Sequence, residues 1–457
     1  APEEPPMNLN LVAHATRSSL DRLYEVLDGA SSNPAGRRFD LVTRITKLYR
    51  QLGVGEFLLE GDAQDLYEFL QLGVQACDDL LREVSPEDVA TSRLLAWFDA
   101  VCVGDRDAMA SIAARAPREC NPRKEYEEDF LYTRIAMDAV GLGRPVAEIE
   151  SMLARLRELS ADRRDARMEL LVAFLEGDVP GFVAALRALC EEHDAFYGEI
   201  VPSSLVEERR ILRHLPPLEV VAWLALARRS TMPDAELAEV PAALLEECAV
   251  PPPPPRRWLE YSHPHLPRQS DDAGRTPERT VLESQRAPAP PSDGAQWSLL
   301  RVDDWTDPDH GVVGDLPSEL SELRHELEAG ESVAASWPSP CAVRLDPYRG
   351  GRWLPDVIAN GDDLLICSAR VTAAIESACR AACEYLPLTI LDHKGRVASS
   401  DHVLIHPLGV HDRPASLPPL SRMSQVSDAY VVSPALSDAL RRIPGVTNLL
   451  LEPTDMS

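Results

Sequence analysis

Two groups of side chains come nearest to a metal-ligating pattern: the carboxylates Asp303, Asp304, Asp307 and Asp309, and Asp401 with His402, His406 and His411. A calcium loop needs fixed ligand spacing with a central glycine and a terminal glutamate, which the first group lacks. In the second group His402 and His406 would share one face of a strand, but Pro407 breaks the ladder directly after them. These histidines are expected at the surface or in satisfied positions. The nine cysteines include no C-x-x-C pair. Cys379 and Cys383, at i and i+4, are expected on one helix face, as small buried hydrophobes of a reducing compartment. Neither a G-x-S-x-G elbow nor a phosphate loop occurs, and Gly361-Asp362-Asp363 precedes a strand instead of opening a helix. No catalytic residue, metal or cofactor is expected, and the chain does not read as an enzyme.

Charge is the more informative property. The formal charge is −28, with only three lysines among 46 basic residues. Residues 1–250 carry 27 basic and 45 acidic side chains, residues 251–296 six of each, and residues 297–457 13 and 23. Both flanking parts are acidic and the middle is neutral. Such surfaces repel nucleic-acid phosphates and anionic lipid headgroups, so neither nucleic acid nor membrane is an expected partner. A basic protein is, because complementary fields speed encounter. The run Glu125, Glu127, Glu128 and Asp129 reads as a solvated helix face and, functionally, as a docking patch for such a partner; Asp303, Asp304 and Asp307 form a second patch. His193 reads as a residue near a helix C-terminus, favoured there by the macrodipole when charged.

These side chains need elements to hold them. Residues 7–250 have helical apolar spacing almost throughout, as at Leu66, Phe69, Leu70, Val74, Cys77 and Leu81. Gly61-Asp62, Gly104-Asp105 and Gly177-Asp178 each end one helix and begin another, since glycine accepts the left-handed stop and aspartate caps the next start. Gly143-Arg144-Pro145 punctuates likewise, with proline just inside the new helix. Turns at 62, 105, 144 and 178 give a period typical of stacked helix pairs, so this part is an irregular helical-hairpin array. Pro251–Pro255 then opens a proline-rich linker, 251–296, in which Trp258 and Tyr261 are the candidate anchors.

Residues 297–457 read as an α+β domain. Strands are expected at Gln296–Val302, Leu364–Cys367, Glu384–Leu391, Val403–Ile405, Ala429–Val432 and Val446–Leu451. Helices are expected over Leu316–Leu327, from Ser368 to about Cys383, and from Ser433 to Leu440 with proline at the first position. The longest apolar run, Val220–Ala227, is far short of the roughly 20 residues of a membrane span. No basic n-region precedes an apolar stretch, so export by a standard signal is not expected.

Two stretches carry family resemblances. The run from Leu170 through Gly177-Asp178 and Phe182 to His193, followed by Pro216-Pro-Leu-Glu-Val-Val-Ala-Trp-Leu-Ala-Leu-Ala-Arg228, resembles the helical family known as immunity protein forty-nine. Leu354-Pro-Asp356, Ser368-Ala-Arg370, Glu384-Tyr-Leu-Pro-Leu388, Tyr430-Val-Val-Ser-Pro-Ala-Leu-Ser-Asp-Ala-Leu-Arg441 and Gly445-Val-Thr-Asn-Leu449 resemble immunity protein eleven, the myxobacterial type. The likeness departs at 407–427, where Pro, Ser and His are dense. The resemblances imply a cytoplasmic protein that binds and neutralises a cognate toxin by occlusion, with no catalytic residue to carry over; a basic nuclease domain would suit the charge. The alternative is a helical-repeat adaptor or chaperone for a secreted effector.

Overall fold

The computed structural model describes residues 16–20, 35–161, 164–199, 211–230, 232–233, 235–245, 297–302, 309–314, 316–411, 417–423 and 426–454. The chain divides into two compact units, Ala1–Glu260 and Tyr261–Ser457. The expected linker, 251–296, and its candidate anchors Trp258 and Tyr261 lie outside the described residues.

The described part of the first unit is helical: α1 (Ala35–Glu60), α2 (Ala63–Leu80), α3 (Ala96–Val103), α4 (Arg106–Arg115), α5 (Glu127–Ala136), α6 (Val146–Leu159), α7 (Ala166–Glu176), α8 (Val179–Glu199) and α9 (Leu218–Arg229). The three Gly-Asp pairs join α1 to α2, α3 to α4 and α7 to α8. Gly61, Gly104 and Gly177 stand at φ +74°, +73° and +72°, where a side chain would be strained. The aspartates cap the next helix: Asp62 accepts from Gln64 N at 2.9 Å, Asp105 from Ala108 N at 2.9 Å and Asp178 from Gly181 N at 3.2 Å. Each such cap is worth about 1 kcal/mol. Pro145 occupies the cap position of α6, one residue earlier than the sequence suggests, and its extended φ and ψ set the entry to the helix.

The apolar run Val220–Ala227 forms most of α9, which is buried on nearly every side. A helix apolar all round belongs inside a fold. It packs on α3, all eight residues of which are buried, so Trp97 and Trp223 are both fully enclosed. Twelve residues are too few for a stable isolated helix, so packing holds α9 in place. The array therefore encloses a buried helix pair, α3 and α9.

The second unit is α+β. Its strands are β1 (Ser298–Val302), β2 (Gly311–Val313), β3 (Ala342–Gly350), β4 (Val357–Ile358), β5 (Leu365–Cys367), β6 (Cys383–Pro387), β7 (Thr389–Leu391), β8 (Val397–Ser399), β9 (Val403–Pro407), β10 (Val410–His411), β11 (Leu420–Met423), β12 (Val426–Val432) and β13 (Leu449–Pro453). They form three sheets, in orders β10-β11-β12-β1-β13, β2-β3-β7-β8 and β4-β5-β9-β6. The helices are α10 (Ser318–Glu322), α11 (Arg324–Ala329), α12 (Ala369–Cys379) and α13 (Pro434–Arg441).

The sheet β4-β5-β9-β6 is buried on both faces. Ile358, Ile366, Leu386 and Leu404 pack with Val343, Leu345 and Ile390 of the neighbouring sheet. The alternate residues Val357, Leu365, Cys367, Cys383 and Ile405 pack with α12, α13, Leu300 and Tyr430. Such strands read as continuous apolar runs, as Leu364–Cys367 does.

Three expected elements differ in extent. Leu316–Leu327 is two short helices divided at Leu323, whose ψ of 3° ends the first. The helix after Ser368 stops at Cys379, and Cys383 begins β6, so those two thiols do not share a helix. Glu384–Leu391 is two strands in different sheets: β6 pairs with β9, whereas β7 runs parallel to β3. Pro387, which has no amide hydrogen, stands at the break. Pro407 does not interrupt β9 but is its last residue, opposite Cys383.

Candidate functional site

The acidic run at 125–129 separates into one inward and three outward groups. Glu127, Glu128 and Asp129 occupy the first turn of α5, where carboxylates complement the helix dipole. All three are half-buried at the surface. Glu127 receives both Arg155 Nε and Nη2, at 2.8 and 2.9 Å, and this pairing holds it below the usual carboxylate range. Glu125 points the other way. It is buried and accepts from Ser92 N at 2.7 Å and Asn121 N at 3.4 Å, tying two loops together. Burial pushes its carboxyl up, against those hydrogen bonds. As a docking residue Glu125 is thus corrected: no partner can reach a carboxylate spent inside. Asp303, Asp304 and Asp307 lie outside the described residues.

Behind the outward carboxylates a polar network joins three helices. One turn along α5, Tyr132 donates to Glu219 Oε1 of α9 at 2.6 Å and accepts from Trp223 Nε1 at 2.6 Å. Arg167 of α7 grips Glu219 with two donors, at 3.0 and 3.1 Å. Burial alone would raise Glu219; the Arg167 charge and the Arg167 and Tyr132 hydrogen bonds outweigh it and hold the carboxyl low. Burial and the adjacent carboxylate push the Tyr132 phenol well above its ordinary value. Deeper in the unit, buried Asp99 is met by Arg50 Nε at 2.9 Å, while Arg50 Nη2 reaches Leu95 O at 2.6 Å. The apolar run Val220–Ala227 includes Trp223, but the sequence carries no signal that Tyr132, Glu219 and Arg167 meet there or that Asp99 is buried against Arg50.

In the second unit, three of the separated motifs that carry its resemblance converge on one carboxylate. Asp356 accepts from Ser368 Oγ at 2.7 Å, Thr447 N at 3.0 Å, Thr447 Oγ1 at 3.1 Å and Arg370 Nε and Nη2. Arg370 also donates to Pro444 O and Gly445 O, at 2.9 and 3.0 Å. Asn448 donates to Val357 O at 2.8 Å. Burial opposes ionisation of Asp356, but the Arg370, Ser368 and Thr447 hydrogen bonds prevail and hold it far below the ordinary value. This node pins the start of α12 and the chain after α13 onto β4. A carboxylate with its lone pairs so occupied positions structure and has none to offer a substrate.

The remaining candidates are also structural. His402 Nδ1 lies 2.9 Å from Ser399 Oγ and its Nε2 3.4 Å from Pro355 O, whereas His406 Nε2 lies 2.8 Å from Glu331 O. The two therefore serve different loops, and burial pushes both below the ordinary imidazole value. His411 falls in β10. His193 sits six residues inside the C-terminal end of α8, not near it, and burial lowers its pKa against the pull of Asp194. Burial pushes the thiols of Cys190 and Cys341 up to about 11, which suppresses the reactive thiolate. Among the described residues no group of three His, Cys, Asp or Glu side chains could hold a metal ion, and no described helix is long and apolar enough to cross a membrane.

Residues 60–237 match the protein family described as immunity protein 49. The matched stretch runs from the end of α1 past α9 and contains the whole Tyr132–Glu219–Arg167 network. No curated protein matches the chain. The family match ends within the first unit and gives nothing for the expected likeness of the second unit to immunity protein eleven.

Proposed function

We propose that the chain is an immunity protein that binds a cognate protein toxin and neutralises it by stoichiometric occlusion in the cytoplasm, without catalysis. The observation that carries the reading is the match of residues 60–237 to immunity protein 49. The net charge of −28 supports a basic toxin surface, such as the cleft of a nuclease, as the face it covers. Glu127, Glu128 and Asp129 are the proposed steering residues of the first unit, and Asp303, Asp304 and Asp307 those of the second. Complementary charge chiefly raises the association rate, and a few buried anchors supply most of the affinity.

The test is co-expression and co-purification, at moderate salt, with the toxin candidate encoded by the neighbouring reading frame. A stable complex that relieves growth arrest is expected. A chain that stabilises or delivers its client while toxicity persists would instead be an adaptor, and absence of both association and protection defeats the proposal.

A further inference from the structure

The end of α5 holds a charged cluster that lies outside the carboxylates proposed above to steer a toxin. The helix continues into one widened turn, Met137–Gly141, closed by Leu142 N donating to Met137 O at 3.0 Å. Such π-type turns disturb the ordinary facing of side chains and recur at functional sites. Here Asp138 is enclosed, its side chain 2% exposed, and three arginines approach the same oxygen, Oδ1. Arg134 Nη2 is bonded to it at 2.7 Å, Arg144 Nε stands 3.5 Å away and Arg118 Nη1 3.8 Å away.

The three arginines are not equivalent. Arg134 is buried; its Nη1 donates to Ala116 O at 3.2 Å and its Nε has no acceptor. Arg118 and Arg144 have side chains 51% and 33% exposed, and Asp138 is their one carboxylate partner among the described residues. Their separations exceed the ~2.7–2.9 Å of a charge-assisted hydrogen bond, so most of their donors are not spent on Asp138. Three guanidinium groups against one carboxylate leave two positive charges uncompensated, within a part of the chain that is otherwise strongly acidic.

We propose that Arg118 and Arg144, held together by Asp138 with Arg134 behind it, form an oxyanion site that takes a phosphate group, free or carried on a small molecule. A phosphate monoester carries close to two negative charges at neutral pH and offers several acceptor oxygens, which suits two guanidinium forks better than a single carboxylate does. Arg134 and Asp138 are positioning residues. Asp138 draws the guanidinium groups together against their mutual repulsion, and the widened turn places Arg144 on the same side as Arg118.

The test titrates the full chain with inorganic phosphate and, separately, with adenosine monophosphate, by calorimetry at an ionic strength held constant with sodium chloride. Saturable one-to-one binding is expected, weakening as pH falls through the second ionisation of the phosphate, about 6 for the monoester and about 7 for the free ion. Arg118→Gln and Arg144→Gln should each weaken binding about tenfold or more, the worth of one charge-assisted hydrogen bond, and the double variant should abolish it. Both side chains are substantially exposed, so the helical circular dichroism signal should be unchanged. Tighter binding of the nucleotide identifies a phosphorylated small molecule as the ligand; equal or weaker binding identifies the free ion. Failure of both probes to bind saturably, unchanged binding in the double variant, or equal competition by acetate overturns the proposal.

Discussion

Asp356→Asn is the most informative single change in the second unit. It keeps the size of the side chain and replaces one acceptor oxygen with a donor. In the native fold that oxygen faces donors: Oδ1 receives Ser368 Oγ and Arg370 Nε, and Oδ2 receives Thr447 N, Thr447 Oγ1 and Arg370 Nη2. Whichever way the amide turns, its NH2 meets groups that can only donate or must reorient. Hydrogen bonds to a charged group are worth about 1.5–3 kcal/mol each, but the Arg370 side chain is 47% exposed and water replaces part of its loss. The Thr447 amide is half-buried, and a donor left unsatisfied there costs up to the roughly 1–3 kcal/mol of a fully buried one. The expected destabilisation is therefore about 2–4 kcal/mol. For a unit of this size that lowers the midpoint by roughly 5–15 °C. Differential scanning calorimetry of the full chain should show one transition moving and the other staying. Hydrogen exchange should place the lost protection around residues 354–370 and 444–449 and leave α2 and α3 unaffected. A change below about 0.5 kcal/mol, the scale of an ordinary surface substitution, or lost protection spread over α2 and α3, would refute the assignment of Asp356 as the node that holds these segments.

The same node sets an acid limit. The folded pKa of Asp356 is depressed, so its contribution is complete above the unfolded carboxylate value of about 3.9 and is lost as pH falls toward the folded value; acid titration of the second unit by circular dichroism should show this loss, and Asp356→Asn should flatten it. Tyr132→Phe removes a hydroxyl that both accepts from Trp223 and donates to Glu219, and should destabilise the first unit by about 1–3 kcal/mol in urea unfolding followed by far-ultraviolet circular dichroism. Gly177→Ala meets no heavy atom within 4 Å, so its cost is the backbone strain of a left-handed alanine, about 1–2 kcal/mol in the same assay. Reversing Glu127, Glu128 and Asp129 to lysine should slow association with the toxin at least tenfold at low salt, with a smaller effect at high salt, in stopped-flow binding.

Much of the first unit is legible from local rules. A left-handed glycine and a capping aspartate act within five residues, so the hairpin turns can be read directly from Gly61-Asp62, Gly104-Asp105 and Gly177-Asp178. What escapes is decided at long range. Glu125 and Glu127 are two residues apart in one acidic run, yet the first is buried because Ser92 and Asn121 offer amides to it. The break between β6 and β7 depends on Cys341 O receiving Thr389 N at 2.9 Å, a pairing no local pattern announces. The Asp356 node is intermediate: each of its three segments stands out as a motif, but only the fold shows that they meet. The widened turn after α5 has no compositional mark, since Met137–Gly141 continues the helical apolar period.

The position of β1 has a consequence for synthesis. It is the first described strand of the second unit, yet it is sandwiched between β12 and β13, with Leu300 opposite Tyr430 on one side and Leu451 on the other. About 130 residues must follow it out of the ribosome before β12 is complete, and about 150 before β13 is. At roughly 5–20 residues per second this leaves a nascent strand unpaired for about 6 to 30 seconds. The helices ahead of it can pack during that interval, because α1 and α2 are sequence neighbours and α3 through α9 follow in short steps. Translation thus divides into an early phase that can complete the helical unit and a late one in which the sheet containing β1 closes at the last strand. A premature stop between Pro434 and Leu449 would release a chain whose helical unit is whole and whose β1 edge toward β13 lies open, the kind of edge that seeds aggregation.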